Sequence, residues 1–258
     1  MDRDAVLARY DREMREGARP DSPGALVERV GDVVRQTAPA HGWNGVLWSR
    51  LDAAGAGPAI AGQIAHFAGL GREFEWKVYG HDAPCDLGRR LTAAGFRAEA
   101  QETLMVADTA DVSRGVALPE GVRVQTVTDP RGVDLVVRVH EQAFGSDGSG
   151  LRRRLLERLS ADPGALVAVV ALAAGVPVAS ARMELAPGTR FAGLWGGGTV
   201  EAWRGRGLYR ALVAHRARIA AERGYRCLQV DAGALSRPVL ERLGFEPLTT
   251  TTPYVRPV

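Results

Sequence analysis

Residues 199–213, "TVEAWRGRGLYRALV", combine the residue types that bind an anion. An apolar run ends before them and a helical pattern follows, so the glycines would lie in a loop that leads into a helix N-terminus. There the backbone N–H groups are unpaired and the dipole is positive, and glycine lets a ligand approach the backbone closely. This arrangement predicts a phosphate site, although a plain strand-to-helix turn with solvated arginines shows the same glycine pair. The residues concerned are Arg204, Gly205, Arg206, Gly207 and Arg210.

Two common nucleotide-binding loops do not fit this stretch. The P-loop requires a lysine and a Ser or Thr directly after its second glycine, but Leu208 and Tyr209 follow Gly207. The dinucleotide fingerprint requires a third glycine where Arg210 stands. Neither motif is therefore expected to describe the loop.

Apolar periodicity places the loop between a strand and a helix. Alternating and β-branched runs predict strands, and apolar residues at helical spacing predict helices. In the C-terminal part the predicted strands are 121–127, 165–175, 176–185, 190–200, 225–233 and 249–255, and the predicted helices are 130–144, 150–164, 208–224 and 236–245.

The N-terminal part repeats the end of this order. Both "AIAGQIAHFAGLGREFEWKVYG" (59–80) and "ALVAHRARIAAERGYRCLQVDAG" (211–233) predict a helix, a glycine and a strand, and each precedes a short helix that ends in Gly-Phe. Strands that bracket a helix are parallel neighbours in a sheet. We expect an α/β chain of two related halves, 1–108 and 118–258, with a polar linker within 105–121.

The stretch "AWRGRGLYRALV" resembles the pyrophosphate loop of the GNAT acyltransferase superfamily, Arg/Gln-x-x-Gly-x-Gly/Ala, with Arg204 first, Gly207 fourth and Tyr209 sixth. The flanking strand and helix, and the later "CLQVDAG" and "ERLGF", follow in the family's order across 121–258. The doubled layout is similar to that of tandem actinobacterial acetyltransferases.

The resemblance implies a tandem GNAT-like fold in which each half has a central mixed β-sheet flanked by helices. Residues 1–108 show no matching loop, because "LDAAGAGP" precedes their helix. They are expected to be a degenerate copy without acyl-CoA binding, and 118–258 is expected to be the domain that binds acetyl-CoA.

The resemblance also implies how acetyl-CoA, the acetyl donor, is held. Backbone N–H groups of 204–209 would bind the pyrophosphate, the end of the preceding strand would pair with the pantetheine amides, and a backbone N–H would polarise the thioester carbonyl. The three glycines of 196–198 either form a bulge that separates two strands or allow close packing. The expected cofactor-binding residues are Thr199, Val200, Arg204, Gly205, Arg206, Gly207, Leu208, Tyr209, Arg210 and Ser236.

Two positions depart from the family's pattern. Tyr209 stands where Gly or Ala is usual. Its backbone N–H can still bind the pyrophosphate if the side chain points away. Leu240 stands where many members carry the tyrosine that protonates the leaving thiolate. Ser236 is near the right place for that acid, or else it caps the short helix.

The sequence also leaves undecided which residue is the general base that removes a proton from the amine. Glu184 and Glu201 are candidates for this base, or else exposed charges at strand edges, and Asp231 is a further carboxylate that could face the cleft. Tyr254 either reaches the site from the last strand or packs in the core. We take Glu184, Glu201 and Tyr254 as the candidate catalytic residues.

The composition excludes several function classes. The 258 residues carry a net charge of only +3, and Lys77 is the only lysine. The many arginines therefore indicate coding bias and solvent-exposed helix faces rather than a nucleic-acid-binding surface. Two cysteines cannot form a disulfide framework, and the five histidines lack metal-ligand spacing. No apolar run approaches the roughly 18 residues of a membrane span, and the N-terminus is unlike a signal peptide. We expect a cytoplasmic protein without a metal or a membrane partner.

Together these features predict an N-acetyltransferase that moves an acetyl group from acetyl-CoA to a primary amine by direct attack in a ternary complex. The acceptor is expected to be a small molecule, and the protein a monomer or homodimer. The alternative is a non-catalytic acyl-CoA sensor or scaffold, which the missing tyrosine favours. A third interpretation is a glycine turn in a protein that binds no coenzyme A.

Overall fold

The computed structural model describes residues 1–39, 42–112 and 117–258. Its contacts group into two compact units, which do not coincide with two consecutive halves of the chain because the C-terminal strand groups with N-terminal residues. The first unit comprises Met1–Met105, Asp231–Leu235 and Pro247–Val258, and the second unit comprises Val106–Val230 and Ser236–Glu246. None of the described helices has the length and apolar character needed to cross a membrane.

Within the described ranges the secondary structure alternates between strands and helices. The elements in chain order are α1 (Arg3–Tyr10), a π-helical turn (Asp11–Glu16), β1 (Leu26–Val30), β2 (Val33–Thr37), β3 (Gly45–Ser49), α2 (Ala56–Gly69), β4 (Phe74–Tyr79), α3 (Leu87–Ala93), β5 (Arg97–Ala98), β6 (Glu102–Asp108), α4 (Thr109–Val112), β7 (Val122–Val127), α5 (Pro130–Phe144), α6 (Ser149–Ala161), β8 (Leu166–Ala173), β9 (Val176–Leu185), β10 (Phe191–Thr199), a 3-10 turn (Glu201–Trp203), α7 (Leu208–Glu222), β11 (Cys227–Ala232), α8 (Arg237–Glu241) and β12 (Glu246–Arg256).

The first unit has a mixed sheet with the strand order β1-β2-β3-β4-β12, and β5 also pairs with β12. β3 and β4 are parallel and are connected through α2, whereas the β1–β2, β2–β3 and β4–β12 pairs are antiparallel. Aromatic rings fill the core beneath this sheet. Phe67 of α2 stacks on Phe74 at a centroid distance of 4.3 Å, and Phe96 meets Phe74 edge-on.

The second unit has a mixed sheet with the strand order β7-β8-β9-β10-β11. Its first three pairs are antiparallel, and β10 and β11 are parallel and connected through α7. Helices α5 and α6 pack on one face of β8 through buried residues such as Val136 and Leu155. Helix α7 buries Leu208, Leu212 and Ala217.

The internal repeat predicted from the sequence is confirmed. Each unit contains a strand–helix–parallel strand crossover followed by a short helix, β3-α2-β4-α3 in the first and β10-α7-β11-α8 in the second. The fold is thus α/β, with two related parts that each have a mixed sheet and flanking helices.

Local sequence signals set the ends of α5. Asp129 accepts a hydrogen bond from the Gly132 N–H at 2.7 Å, and Pro130 occupies the first helical position. Gly145 ends the helix in the left-handed conformation, with φ of +69°. These caps fix where Phe144, the last residue of α5, lies.

The prediction of a linker over 105–121 is wrong for its first eight residues. Residues 105–107 are buried in β6, and 109–112 form α4, whose Thr109 hydroxyl donates to the Tyr225 carbonyl at 2.9 Å. The small polar residues that follow suggested a linker, but the apolar stretch "LMVA" before them belongs to strand β6. The middle of the predicted linker, 113–116, lies outside the described residues.

A buried polar network lies inside the first unit. The only lysine, Lys77 of β4, forms an ion pair with Asp231, which also accepts a hydrogen bond from the Thr251 hydroxyl at 3.3 Å. The hydroxyls of Tyr10 and Tyr79 are 3.3 Å apart. Asp231, one of the carboxylates considered for the cleft, is therefore committed to a structural pair.

Candidate functional site

Strand β10 separates from β11 soon after the two begin to pair. Their parallel register covers three residue pairs, the last of which is Gly193–Gln229, although β10 continues to Thr199. A bulge interrupts the pairing of β10 with β9 between Trp195 and Gly198, where Gly196 adopts φ of +56°. The bulge interpretation of the glycine run is therefore confirmed. The point beyond Gly193 and Gln229, where β10 and β11 are no longer paired in register, is called the strand opening.

Beyond β10 the chain forms the loop expected of an anion site. After the 3-10 turn, Gly205 and Gly207 both take the left-handed conformation, with φ of +75° and +82°. Helix α7 begins at Leu208, and its first intrahelical bond runs from the Ala211 N–H to the Gly207 carbonyl at 3.0 Å. No side chain caps this helix end. The N–H groups of residues 208–210 therefore point out of the helix without an intrahelical partner.

The three loop arginines divide into two roles. Arg204 holds the loop in place, because its Nε donates to the Thr199 carbonyl and its Nη2 to the Ala143 carbonyl, both at 3.2 Å. Its backbone N–H already donates to the Glu201 carbonyl. Arg206 and Arg210 are exposed, and Arg206 stacks over the Trp203 ring at 4.6 Å. The usable backbone donors therefore begin at Gly205, one residue later than predicted.

The corresponding helix of the first unit has a different N-terminus. The Asp52 carboxylate before α2 accepts hydrogen bonds from the N–H groups of Ala54 at 3.1 Å and Gly55 at 2.7 Å. Gly55 has φ of −76°, outside the left-handed region. The chain's own carboxylate thus occupies the donors that a phosphate would need, and its charge would repel one. Of the two helices, therefore, only α7 has an N-terminus that suits a pyrophosphate group.

The glycines of 196–198 also allow close packing, so both interpretations of this run apply. A Cβ on Gly197 would lie 2.8 Å from the Tyr209 ring, and a Cβ on Gly198 would lie 2.9 Å from the Phe144 ring. Tyr209, which stands where a small residue was expected, therefore fits because β10 has a glycine opposite it. Burial raises the pKa of Tyr209, so its phenol stays protonated at neutral pH.

This packing gives the first testable prediction. Gly197→Ala will lower the free energy of unfolding by about 1–3 kcal/mol, because the added methyl overlaps the Tyr209 ring. In a Tyr209→Ala background the same substitution will cost less than about 0.5 kcal/mol. Urea unfolding of the four proteins measures this coupling. Equal costs in both backgrounds would show that the ring does not lie against Gly197.

Other predicted cofactor residues occupy the borders of the loop. The Val200 N–H donates to the Val178 carbonyl at 3.0 Å, so this N–H is directed at β9 rather than at the opening. Ser236 occupies the N-cap position of α8 but makes no side-chain capping bond. Leu240 is completely buried, so the position where a tyrosine acid was expected is part of the core.

The three candidate catalytic residues lie in different surroundings. Glu184 of β9 is paired in register with Gly193, the residue at which β10 leaves β11. Glu201 is exposed in the 3-10 turn. Tyr254 belongs to the first unit, where it packs against the core and its hydroxyl lies over Gly88 of α3. The structure therefore places Glu184, of the three, beside the strand opening.

Sequence reasoning missed three polar residues near this opening. Arg182 and Gln229 interrupt mainly apolar strands, and this interruption is the signal that could have identified them. Arg216 lies among other polar residues of α7 and has no such signal. Arg216 is almost fully buried and donates to the carbonyls of Leu212 and Arg182. Burial lowers its pKa to about 10. In the described part of the chain, no group of three or more potential metal-ligating side chains occurs.

Comparison with known proteins identifies a family for part of the chain and a fold for the whole of it. Residues 112–234 match the family model of an acetyltransferase (GNAT) domain. No curated protein matches the sequence. Among solved structures, a GCN5-related N-acetyltransferase from Kribbella flavida superposes with a TM-score of 0.69 at 20% identity, covering 99% of this chain and 94% of that one.

Two further solved structures have the same fold. A tandem GNAT protein from the clavulanic acid biosynthesis pathway gives a TM-score of 0.65 at 14% identity, covering 98% of this chain and 93% of that one. A GCN5-related N-acetyltransferase from Sphaerobacter thermophilus gives 0.62 at 17% identity, covering 98% and 90%. At these identities the similarity shows the fold. The segment 112–234 belongs to the GNAT superfamily, and the chain as a whole has the fold of tandem GNAT proteins.

Proposed function

We propose that the protein is an N-acetyltransferase that uses acetyl-CoA and acetylates a primary amine on a small molecule. The observation that carries the proposal is the uncapped N-terminus of α7, reached through two left-handed glycines that follow β10 beyond the point where its pairing with β11 ends. In the first unit the equivalent helix end is blocked by Asp52. We accordingly assign acetyl-CoA binding to the half 118–258 and regard 1–108 as a copy that has lost it.

The residues of the loop would bind the pyrophosphate. The N–H groups of 205–210 supply donors at the positive end of the helix dipole, and Arg206 and Arg210 add charge. Gly205 and Gly207 keep the approach open, since no atom of the described residues, chain neighbours aside, lies closer than 3.8 Å to a Cβ built on either. When bound, acetyl-CoA supplies an acetyl group activated as a thioester.

Glu184 is the residue that we propose accepts the amine proton. The amine nitrogen bonds to the thioester carbonyl carbon, the carbon–sulfur bond breaks, and one amine proton passes to Glu184 directly or through water. The thiolate takes a proton from solvent, because the apolar side chain of Leu240 has none to give. Products are the N-acetylated amine and the thiol of coenzyme A. No acyl-enzyme step is involved, so both substrates must be bound together.

The buried Leu240 favours a second candidate function, a sensor that binds acyl-CoA without turnover. A sensor needs the loop but no proton acceptor at the opening. The two functions therefore differ in whether Glu184 matters for anything beyond folding.

A transfer assay separates these functions. Release of coenzyme A thiol will depend on a small primary amine from a panel of amino acids, aminosugars and polyamines. Glu184→Gln will lower kcat/KM at neutral pH by about 10²-fold or more, since it removes the base, and will leave the dissociation constant of acetyl-CoA unchanged. Glu157→Gln, at an exposed position of α6, is the matched control and will retain wild-type activity.

Three results would change the assignment. Binding of acetyl-CoA without amine-dependent thiol release across the panel would identify a sensor. A large loss in Glu201→Gln instead of Glu184→Gln would move the base to the 3-10 turn. Absence of acetyl-CoA binding by wild type would remove both functions.

A further inference from the structure

One face of the second unit's sheet has two rows of residues beside the strand opening. The first row is Glu184, Gly193 and Gln229, which are neighbours in register across β9, β10 and β11. The second row, two residues further along β10, pairs Arg182 with Trp195. Strand residues two apart are separated by about 7 Å, so one small molecule can span both rows.

Gln229 has a buried polar atom without a partner. The residue is 3% exposed, and its Oε1 makes no hydrogen bond to any residue within 1–39, 42–112 and 117–258. A Cβ on Gly193 would lie 2.6 Å from Gln229 Nε2 and 2.8 Å from Trp195 Nε1, so both side chains crowd over this glycine. An unpaired buried acceptor is costly. The unpaired Gln229 Oε1 is explained if it accepts a hydrogen bond from the N–H of a bound amine.

The second row has an excess of positive charge. Arg182 is half-buried. It forms an ion pair with Glu184, in which the Nε–Oε1 distance is a long 3.8 Å. Burial lowers the pKa of Arg182; the charge and hydrogen bond of Glu184 act to raise it, and the charge of Arg154 lowers it again, so that the net direction is downward. The Arg216 guanidinium of α7 donates to the Arg182 carbonyl at 2.6 Å. Arg182 thus has one carboxylate, Glu184, and one like charge, Arg154, beside it.

Gly196 makes room for the Arg182 guanidinium at the bulge. A Cβ there would lie 2.7 Å from Arg182 Nη1. The end of α5 borders the same face, where the Phe144 ring lies against Gly198 and is 52% exposed. The face therefore combines a carboxylate and an amide oxygen in one row with a guanidinium and aromatic rings in the next.

We propose that this face binds a zwitterionic acceptor of the amino-acid class, with Glu184 and Gln229 at the amine and Arg182 at the carboxylate. An amine without a carboxylate would engage the first row but leave Glu184 as the one carboxylate beside Arg182, at 3.8 Å. The aromatic rings of Trp195 and Phe144 add apolar surface for the remainder of the molecule. The inference rests on the proposed function, because it names the amine that the acetyl group reaches.

Matched ligand pairs test this inference without requiring turnover. The common L-amino acids and β-alanine, each beside its carboxamide, are titrated by calorimetry into the full chain saturated with desulfo-coenzyme A. At least one acid will bind tenfold or more tighter than its carboxamide. Arg182→Met will remove this difference, and Arg123→Met, at an exposed position of β7, will keep it.

Gln229→Met provides a second readout that a purely structural role would not change. Methionine has nearly the same size but no unpaired amide, so this variant will be at least as stable to urea as wild type. It will nevertheless bind the preferred acid about tenfold more weakly. A loss of stability in parallel with affinity would assign Gln229 to packing and count against the inference.

The outcomes separate the inference from the proposed function. No preference for any acid, or a preference that survives Arg182→Met, overturns the inference. If simple amines are then acetylated, the transferase assignment stands without it. If an acid binds through Arg182 but no acetyl group is transferred, the inference stands and the transferase assignment fails.

Discussion

Gly207→Val will weaken acetyl-CoA binding by at least about 100-fold, equivalent to roughly 2.7 kcal/mol of binding free energy. Gly207 adopts φ of +82°, and the space around its missing Cβ is open apart from Arg210 Nη2 at 3.8 Å. The new side chain therefore meets no steric clash with the described residues, and it fills the space where we propose that the pyrophosphate binds. Isothermal titration calorimetry with acetyl-CoA measures the change.

Gly224→Val is the matched control, at the opposite end of α7. Gly224 has φ of +84° with nothing within 4 Å of its missing Cβ, so both variants carry a similar left-handed strain of about 1–2 kcal/mol. Both will lose stability, and only Gly207→Val will lose affinity. Equal affinities in the two variants would mean that acetyl-CoA does not use this helix end.

Asp231→Ala will lower the free energy of unfolding by about 3 kcal/mol or more, because it leaves the Lys77 ammonium buried without its counter-charge. The side chains of Asp231 and Lys77 are 4% and 18% exposed. The Thr251 hydroxyl loses its acceptor in the same variant. Urea unfolding of the variant beside wild type gives the difference, and a loss below 1 kcal/mol would show that the pair is hydrated.

The double variant Lys77→Met with Asp231→Leu is the control, and it will cost much less than Asp231→Ala because it buries no charge. Burial acts to lower the pKa of Lys77, but Asp231 together with Tyr10 and Glu75 outweighs burial and raises it to about 12 from an ordinary 10.5. A raised pKa means that the contribution of the pair is complete below pH 10.5 and is lost as the pH rises through 12. Wild type will therefore lose more stability than the double variant over that interval.

The sequence patterns that predicted structure well are those whose determinants are local. Helix α5 has a cap, a proline and a terminal glycine within its own residues, and α7 has apolar spacing and a closing glycine. The left-handed glycines of the loop were likewise predictable, because few other residues adopt that conformation.

Features that depend on distant partners were not predictable. The polar linker interpretation overlooked "LMVA", whose burial in β6 depends on neighbouring strands. Strands β1 to β3 alternate weakly and include buried polar residues such as Arg35 and Gln36, which pair with Glu28 and Asp21. The grouping of β12 with the first unit follows no local signal at all.

The candidate site shows the same division. The anion-binding loop was predicted from residue types, but the role of Arg204 was not, since its side chain stabilises the loop through two carbonyls. The position of Arg182 and Gln229 beside Glu184 follows from the register of β9, β10 and β11 and was not predictable from the sequence. Sheet register depends on long-range pairing, which a single sequence does not encode in any short stretch.

The central claim is that the N-terminus of α7 binds acetyl-CoA through its backbone, and amide NMR tests it most directly. In ¹⁵N-labelled protein titrated with acetyl-CoA, we expect the largest shifts at the N–H groups of 205–210, with saturation at one equivalent. The N–H groups of Ala54 and Gly55, which Asp52 already binds, will move little. Saturable shifts centred on α2, or no shifts at 205–210, would contradict the claim.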